Sequence, residues 1–171
     1  MRTVRHLIAA LALIGSASSA VAQTLPVFQF REIRADQPID PQSIGFKECQ
    51  SLENGLRRCM PRSGSDRVAN VFVIPMMILN GSKLASFELI GIQSGYGSIK
   101  DAFAAKYGTP CQSRTDKWQN RIGNSFDNEV TVWCFATGRL ELKALGNQVD
   151  QWQARYVDAV NTPPSTPKVD F

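Results

Sequence analysis

The chain has 171 residues, a length typical of one ordinary domain, and its 19 basic and 15 acidic residues give a formal net charge of +4. Its single histidine, His6, stands near the N-terminus. Removal of a leader that contains His6 would leave no histidine, which excludes serine–histidine and cysteine–histidine nucleophilic sites and histidine-based zinc sites.

The first 22 residues have the three parts of a secretory signal peptide. Two arginines within the first five residues precede an apolar run at residues 7–14 and a small-residue sequence that ends at Ala22. We therefore expect cleavage near Ala22 and a mature protein in the periplasm or outside the cell. The apolar run is too short to cross a bilayer, and no cysteine follows the cleavage site, so we expect neither a transmembrane span nor a lipid anchor.

The first predicted strand lies at residues 27–33, where apolar and polar residues alternate. A hairpin follows at about residues 46–60, with an Asn-Gly turn at residues 53–55. A three-residue loop with Gly55 in the left-handed conformation places Cys49 opposite Cys59, with their Cα atoms about 4.5 Å apart. That separation suits a disulfide.

The chain contains two further cysteines, Cys111 and Cys134. An even number of cysteines in an exported domain indicates disulfides, so pairing of the first two leaves a Cys111–Cys134 bridge. The spacing does not match a Cys-x-x-Cys redox motif. Both bridges are therefore expected to be structural.

The middle of the chain predicts a loop, a second hairpin and one helix. Residues 61–70 are polar and predict the loop, and residues 71–79 and 84–92 predict the two strands of the hairpin, joined at an Asn-Gly turn. Pro75 cannot donate a ladder hydrogen bond, so the first strand should be at an edge or bulged. The helix is predicted over residues 98–107, capped by Ser98 and ended by Gly108 and Pro110.

The C-terminal third predicts a meander of strands at residues 112–120, 130–136 and 139–145, with a loop at residues 120–128. In the third strand, apolar residues alternate with charged ones, which predicts one solvated face. The inner residues of the two facing strands are expected to be Val130, Val132, Cys134 and Ala136 together with Leu140, Leu142 and Ala144, while Trp133 and Phe135 point the other way.

The chain ends in two further segments. Residues 149–160 fit either a helix or a strand, and we favour a strand because the preceding elements form a meander. Residues 161–171 are rich in proline and polar residues and predict a disordered tail. The elements together predict an α+β fold that is mostly antiparallel sheet, with one amphipathic helix and two disulfides in a single domain of residues 23–160.

The helix end Lys106-Tyr107-Gly108-Thr109-Pro110, followed by a strand with a tryptophan and a meander, resembles a pattern of uncharacterised exported bacterial proteins. More distantly, residues 82–158 resemble the helix-plus-antiparallel-sheet modules of the outer-membrane barrel-assembly lipoprotein and of β-lactamase inhibitor proteins. The resemblance implies a protein-binding scaffold of the bacterial envelope. The chain lacks the lipidated cysteine of that lipoprotein.

Two sets of residues are candidates for a binding surface. Arg57 and Arg58 follow the first hairpin turn and could meet an acidic partner. Trp118, Trp133 and Phe135 belong to an aromatic concentration in the C-terminal third, which would suit a glycan or a protein partner if the rings are exposed.

The leading hypothesis is a non-enzymatic exported domain that binds a protein, a glycan or another envelope component. An inhibitor of a secreted hydrolase (a lysozyme, a protease or a β-lactamase) is the alternative. A second alternative is a cell-wall hydrolase that uses a pair of carboxylates, Asp116 with either Asp127 or Glu129. Without the predicted leader, the chain has 17 basic and 15 acidic residues. This small excess gives no electrostatic reason to expect binding to nucleic acid. We expect no cofactor and no bound metal.

Overall fold

The computed structural model describes residues 24–119 and 122–162. The predicted signal peptide and residues 163–171 of the predicted tail lie outside the described residues. Asn161 and Thr162, where that tail was expected to begin, are held in place: Thr162 Oγ1 donates to Ala85 O at 2.8 Å, and Asn161 N donates to Asp158 Oδ1 at 2.8 Å.

The N-terminal segment forms a short hairpin instead of the single strand predicted at residues 27–33. Strands β1 (Gln29–Phe30) and β2 (Ile33–Arg34) pair with each other, and the chain reverses between them at Arg31, which has φ 52°. Phe28 and Phe30 are buried on either side of the exposed Gln29, as the alternation predicts, but Glu32 is exposed and Ile33 is buried. The turn therefore interrupts the alternation, and the sequence pattern did not reveal it.

The first disulfide hairpin has the predicted register. Strands β3 (Phe46–Ser51) and β4 (Leu56–Pro61) flank a 3-10 turn at Glu53–Gly55, in which Gly55 has φ 73°. Cys49 lies opposite Cys59 with a Cα–Cα distance of 4.1 Å, and the two cysteines form a disulfide. The prediction from the Asn-Gly turn is confirmed.

The next three strands are a short outer strand and two long strands of the main sheet. The predicted loop at residues 61–70 contains a short strand, β5 (Asp66–Val68), which pairs with the start of β6 (Val71–Asn80). Strand β7 (Lys83–Ile92) completes the predicted hairpin. Pro75 lies on β6 between the residues that pair with β5 and the residues that pair with β4. On that side of β6, no strand therefore requires a hydrogen bond from the backbone nitrogen of Pro75.

The helix α1 (Tyr96–Tyr107) begins two residues earlier than predicted, after a 3-10 turn at Gln93–Gly95. Ser98 therefore lies inside the first turn, and Gly95 is the N-cap residue. Gly95 packs so closely on Val71 that an added Cβ would lie 2.4 Å from a Val71 methyl group, so its backbone approaches β6 as only glycine allows. The helix ends at Gly108, as predicted, with φ 78°.

The C-terminal strands are β8 (Gln112–Gln119), β9 (Ser125–Cys134), β10 (Gly138–Lys143) and β11 (Gln151–Asp158). The loop predicted at residues 120–128 is shorter than expected, because Ser125 already pairs with Gln119. The strand interpretation of residues 149–160 is confirmed by β11.

All neighbouring strands are antiparallel, in the order β3-β4-β6-β7-β11-β10-β9-β8, with β5 attached to β6. The second disulfide, Cys111–Cys134, joins the start of β8 to the end of β9 with a Cα–Cα distance of 5.9 Å. The fold is thus α+β and dominated by antiparallel sheet, as expected.

The inner face of β9 is the reverse of the predicted one. Trp133 lies opposite Leu140 on β10, and both side chains are buried in the core. Residues directly opposite on neighbouring strands share a face, so Val130 and Val132 point away from Leu140. The prediction matched the alternating apolar residues of the two strands, and a shift of one residue in the register exchanges the two faces.

Phe28 lies at the centre of an aromatic cluster that connects the N-terminal segment to the sheet. Its ring stacks on Tyr156 of β11 with 3.9 Å between centroids and 5° between planes. The Phe135 ring meets it edge-on at 5.4 Å, and the rings of Phe87 and Tyr107 lie near 6 Å. Phe28 is 1% exposed. Its contacts with Tyr107 of the helix and with Phe87 and Tyr156 of the sheet connect the N-terminal segment, the helix and the sheet in one core.

Replacing Phe28 with alanine is expected to lower the free energy of unfolding by about 4 kcal/mol, because it leaves a cavity between Tyr156, Phe135 and Phe87. Urea denaturation followed by circular dichroism measures this change. Leu25→Ala is the matched control, since Leu25 is 53% exposed in the same segment and should change stability by less than about 0.5 kcal/mol. Equal losses in the two variants would contradict the central place of Phe28.

Candidate functional site: the open face of the sheet

The sheet has a helix face and an open face. On the helix face, Met77, Phe87, Tyr156, Leu140 and Trp133 form one row across five strands, and all five are buried. Helix α1 and the N-terminal segment both pack on this face. The alternate residues of each strand point to the other side, which we call the open face.

The predicted binding residues are divided between the two faces. Arg57 and Arg58 are consecutive on β4 and point to opposite sides. The Arg57 guanidinium donates to Gly81 O at 2.8 Å, so this arginine fastens the β6–β7 turn, whereas Arg58 is exposed on the open face. The two arginines therefore do not form one patch.

Of the three predicted aromatic residues, only Trp118 is on the open face. Trp133 is 2% exposed, and Phe135 is 5% exposed because it belongs to the Phe28 cluster, so neither ring can contact a partner. Trp118 is half-buried beside Phe126, with 5.9 Å between the ring centroids. The expectation of an exposed aromatic group is thus corrected to a single tryptophan.

A layer of charged side chains covers the open face over β8, β9 and β10. Glu141 accepts from Lys143 at 3.1 Å and lies 3.5 Å from an Arg114 nitrogen. Val130 lies between Arg114 and Lys143 on the neighbouring strands and is fully buried, so the aliphatic stems of these side chains cover it. Burial raises the pKa of Glu141, but the hydrogen bonds and charges of Lys143 and Arg114 outweigh that effect and lower it overall.

The open face carries an excess of positive charge. Among the strand side chains that the structure describes, seven basic and three acidic residues point to this side: Lys47, Arg58, Arg67, Arg114, Arg139, Lys143 and Arg155, and Glu88, Asp116 and Glu141. The excess is larger than the two-residue excess of the chain without its predicted leader.

Apolar side chains are exposed at one end of the open face. Phe72, Ile74 and Ile92 are 59%, 45% and 63% exposed, and Ile90 lies directly opposite Ile74. The Arg67 guanidinium stacks on the Phe72 ring at 4.0 Å from its centroid. We call Phe72, Ile74, Ile90 and Ile92 the isoleucine patch, which lines a shallow groove on β6 and β7.

A second groove lies at the same end of the sheet, beyond β10. It is lined by Trp118, Gln119 and the β10–β11 loop at residues 146–150, and it encloses about 580 Å³. We call it the Trp118 groove. The isoleucine patch and the Trp118 groove lie on either side of the start of β11, since Gln151 pairs with Ile92 and directly follows the loop.

The three candidate catalytic carboxylates do not converge. Asp116 is on the open face, where it is bonded to Arg114, whereas Asp127 and Glu129 are on the helix face. Asp127 is paired with Lys117, and Glu129 is paired with Lys100 of α1. Asp116 therefore does not form the catalytic pair with Asp127 or Glu129 that the hydrolase hypothesis requires.

The isoleucine patch is not among the predicted binding residues, although the sequence carries a signal for it. Residues 71–79 are apolar almost without interruption, so they supply apolar side chains to both faces of β6. Val73, Met77 and Leu79 enter the core, and Phe72 and Ile74 are left on the other side. A strand that is apolar on both faces indicates either a covered sheet or a contact surface.

The chain matches no protein-family model, and the searches of curated proteins and of solved structures found no match either. In residues 24–119 and 122–162, no helix has the length and hydrophobicity to cross a bilayer. Within those ranges, histidine, cysteine, aspartate and glutamate side chains form no group of three or more that could hold a metal ion.

Glu141→Gln is expected to cost about 1 kcal/mol of stability at neutral pH, because it removes the carboxylate that Lys143 and Arg114 share. A carboxyl whose pKa is lowered by folding stabilises the protein above its ordinary pKa of 4.5 and loses that contribution as the pH falls through the lowered value. The difference between wild type and variant should therefore shrink as the pH falls below 4.5, as measured by urea denaturation at neutral and at acidic pH.

Asp127→Asn serves as the control for this prediction, because the Asp127–Lys117 pair is exposed on both sides and should contribute little at either pH. A Glu141→Gln loss that stays the same at low pH would show that packing, and not charge, accounts for the effect.

Proposed function

We propose that this chain is a non-catalytic binding domain that uses the isoleucine patch on its open face to bind another protein outside the cytoplasm. The observation that carries the proposal is the exposure of Phe72, Ile74 and Ile92 side by side on two paired strands. Single exposed apolar residues are ordinary, but a contiguous group of this kind is typical of interaction surfaces. Its removal from water would supply the free energy of binding.

The charge of the open face supports a protein with an acidic rim as the partner. The excess of arginine and lysine side chains would attract carboxylates that surround an apolar contact, and it would speed association at low salt. Arg67 stacks on Phe72 of the patch, and Arg155 is exposed on β11. Glu88 lies opposite Arg155 and opposite Met76 on the same face, and a carboxylate there favours a protein of mixed charge over an anionic lipid surface.

The compartment in the proposal rests on the sequence and on the disulfides. The first 22 residues have the pattern of a signal peptide. Both cysteine pairs are bonded, which is typical of proteins in oxidising compartments.

A photoreactive amino acid at position 74 tests the proposal in cells that produce the protein. We expect a discrete protein adduct at this position and none at position 25, where Leu25 is a comparably exposed apolar residue of the N-terminal segment. Adducts of equal yield at both positions, adducts to lipid, or no protein adduct at position 74 would contradict the proposal.

Purified partner from the adduct then allows the affinity to be measured. Ile74→Glu and Ile92→Glu should each weaken binding by about 30-fold, because a carboxylate replaces an apolar contact, and Leu25→Glu should stay within about twofold. All three side chains are exposed in the free protein, so the variants should keep the unfolding midpoint of the wild type. Binding that survives both patch variants would refute the patch as the contact.

A further inference from the structure

The β10–β11 loop, which forms one wall of the Trp118 groove, is fastened at both ends. At its start, the buried Asn128 side chain makes two hydrogen bonds with the backbone of Leu145: Oδ1 accepts from Leu145 N at 2.7 Å, and Nδ2 donates to Leu145 O at 2.8 Å. At its end, Gln93 N donates to Asp150 O at 2.8 Å, and Gly146 N donates to Gln151 O at 2.6 Å. Hydrogen bonds therefore fix the backbone at both ends of the loop.

The polar side chains of this loop are directed to solvent and take no part in holding it. Asn147, Gln148 and Asp150 are exposed, and they make no side-chain hydrogen bond or ion pair within the described residues. The hydrogen bonds that fix the loop come from the backbone and from Asn128. Because the ends of the loop are fixed before a ligand binds, the entropy lost on binding comes mainly from these side chains and less from the backbone.

Trp118 forms the opposite wall of the groove. It lies on the open face of β8 directly across from Phe126, which is 38% exposed, and the two rings lie 53° apart in plane. The half-buried indole is thus supported from the side and presents part of its surface to the groove. A fixed aromatic surface facing amide and carboxylate groups offers apolar contact and hydrogen bonds to one ligand.

We propose that the Trp118 groove binds a carbohydrate, namely a neutral oligosaccharide of β-linked, N-acetylated hexoses. The axial C–H bonds of a β-linked hexose form a flat apolar face that can stack on Trp118. Its hydroxyl and acetamido groups match the donors and acceptors of Asn147 and Gln148. The site is separate from the isoleucine patch, so it does not depend on the protein partner.

The charge of the groove determines which sugars fit. Among the residues that the structure describes, Asp150 is the one ionisable residue in the lining, and none of the described lining residues is basic. A sugar acid would bring a second negative charge next to Asp150, whereas a neutral sugar can donate its hydroxyl groups to that carboxylate. The basic residues of the open face lie on the strands, outside this lining.

The three tryptophans of the chain give the test a built-in probe. Trp133 and Trp152 are 2% and 0% exposed, so Trp118 is the one indole that an added sugar can reach. Titration of the wild-type protein with N-acetylchitotetraose should shift the tryptophan emission in a saturable manner and protect it from iodide quenching. Isothermal titration calorimetry on the same samples gives the Kd.

Variants assign the binding to the groove. Trp118→Ala should weaken binding of N-acetylchitotetraose by at least about tenfold, Trp118→Phe should restore part of it, and Asn147→Ala and Asp150→Ala should each weaken it by about threefold to tenfold. Lys117→Ala is the matched control, because Lys117 neighbours Trp118 but points to the helix face, and it should bind like the wild type. Maltotetraose, whose linkages are α, should bind more weakly.

Chitin oligosaccharides and peptide-free glycan strands of bacterial cell wall both consist of β-linked N-acetylated hexoses, but every second hexose of the cell-wall strands carries a lactyl carboxylate. Both are therefore titrated, and the chitin oligosaccharide should bind more tightly, because the cell-wall strands bring carboxylates next to Asp150. Tighter binding of the cell-wall strands would contradict the choice of a neutral sugar. Failure of both to bind the wild type at millimolar concentration would overturn the proposal, as would an unchanged Kd in Trp118→Ala. Neither result would affect the proposed protein contact, which is tested at positions 74 and 92.

Discussion

The helix is too short to cover the sheet on which it packs, and the rest of the architecture follows from this difference in size. Twelve residues give a helix about 18 Å long, whereas eight strands side by side extend about 34 Å. The N-terminal segment covers much of what remains of the helix face, through Phe28 and its aromatic neighbours. The described residues contain no second helix to cover the other face.

The uncovered face is divided into regions with different chemistry. Over β8, β9 and β10 a charged layer shields Val130 and Val132 from water, so this half of the face needs no further covering. Over β6 and β7 no such layer exists, and the apolar side chains remain in contact with water. The Trp118 groove adds a polar recess beyond β10. A scaffold with one core face can thus present two independent contact regions without a change in its packing.

The sequence predicted features that depend on neighbouring residues better than those that depend on the partner strand. The Asn54-Gly55 turn determined the register of the first hairpin, and Gly108 determined the end of the helix, because both act within a few residues. The predicted inner face of β9 was wrong, because the face on which a residue of β9 lies depends on which residue of β10 is opposite it. Burial of Trp133 and Phe135 could not be read from the sequence for the same reason. Trp118 alone remains from the predicted aromatic surface.

The positions of the two disulfides have a consequence for the behaviour of the chain in solution. Cys49–Cys59 joins β3 to β4, and Cys111–Cys134 joins β8 to β9, so each bridge fastens an outermost strand of the sheet to its inner neighbour. Outermost strands carry unpaired backbone groups and are where a sheet frays and where two copies can add strand to strand. Reduction of the two disulfides would release both outermost strands together. We therefore expect self-association, and not loss of the aromatic core, to be the first effect of reducing conditions.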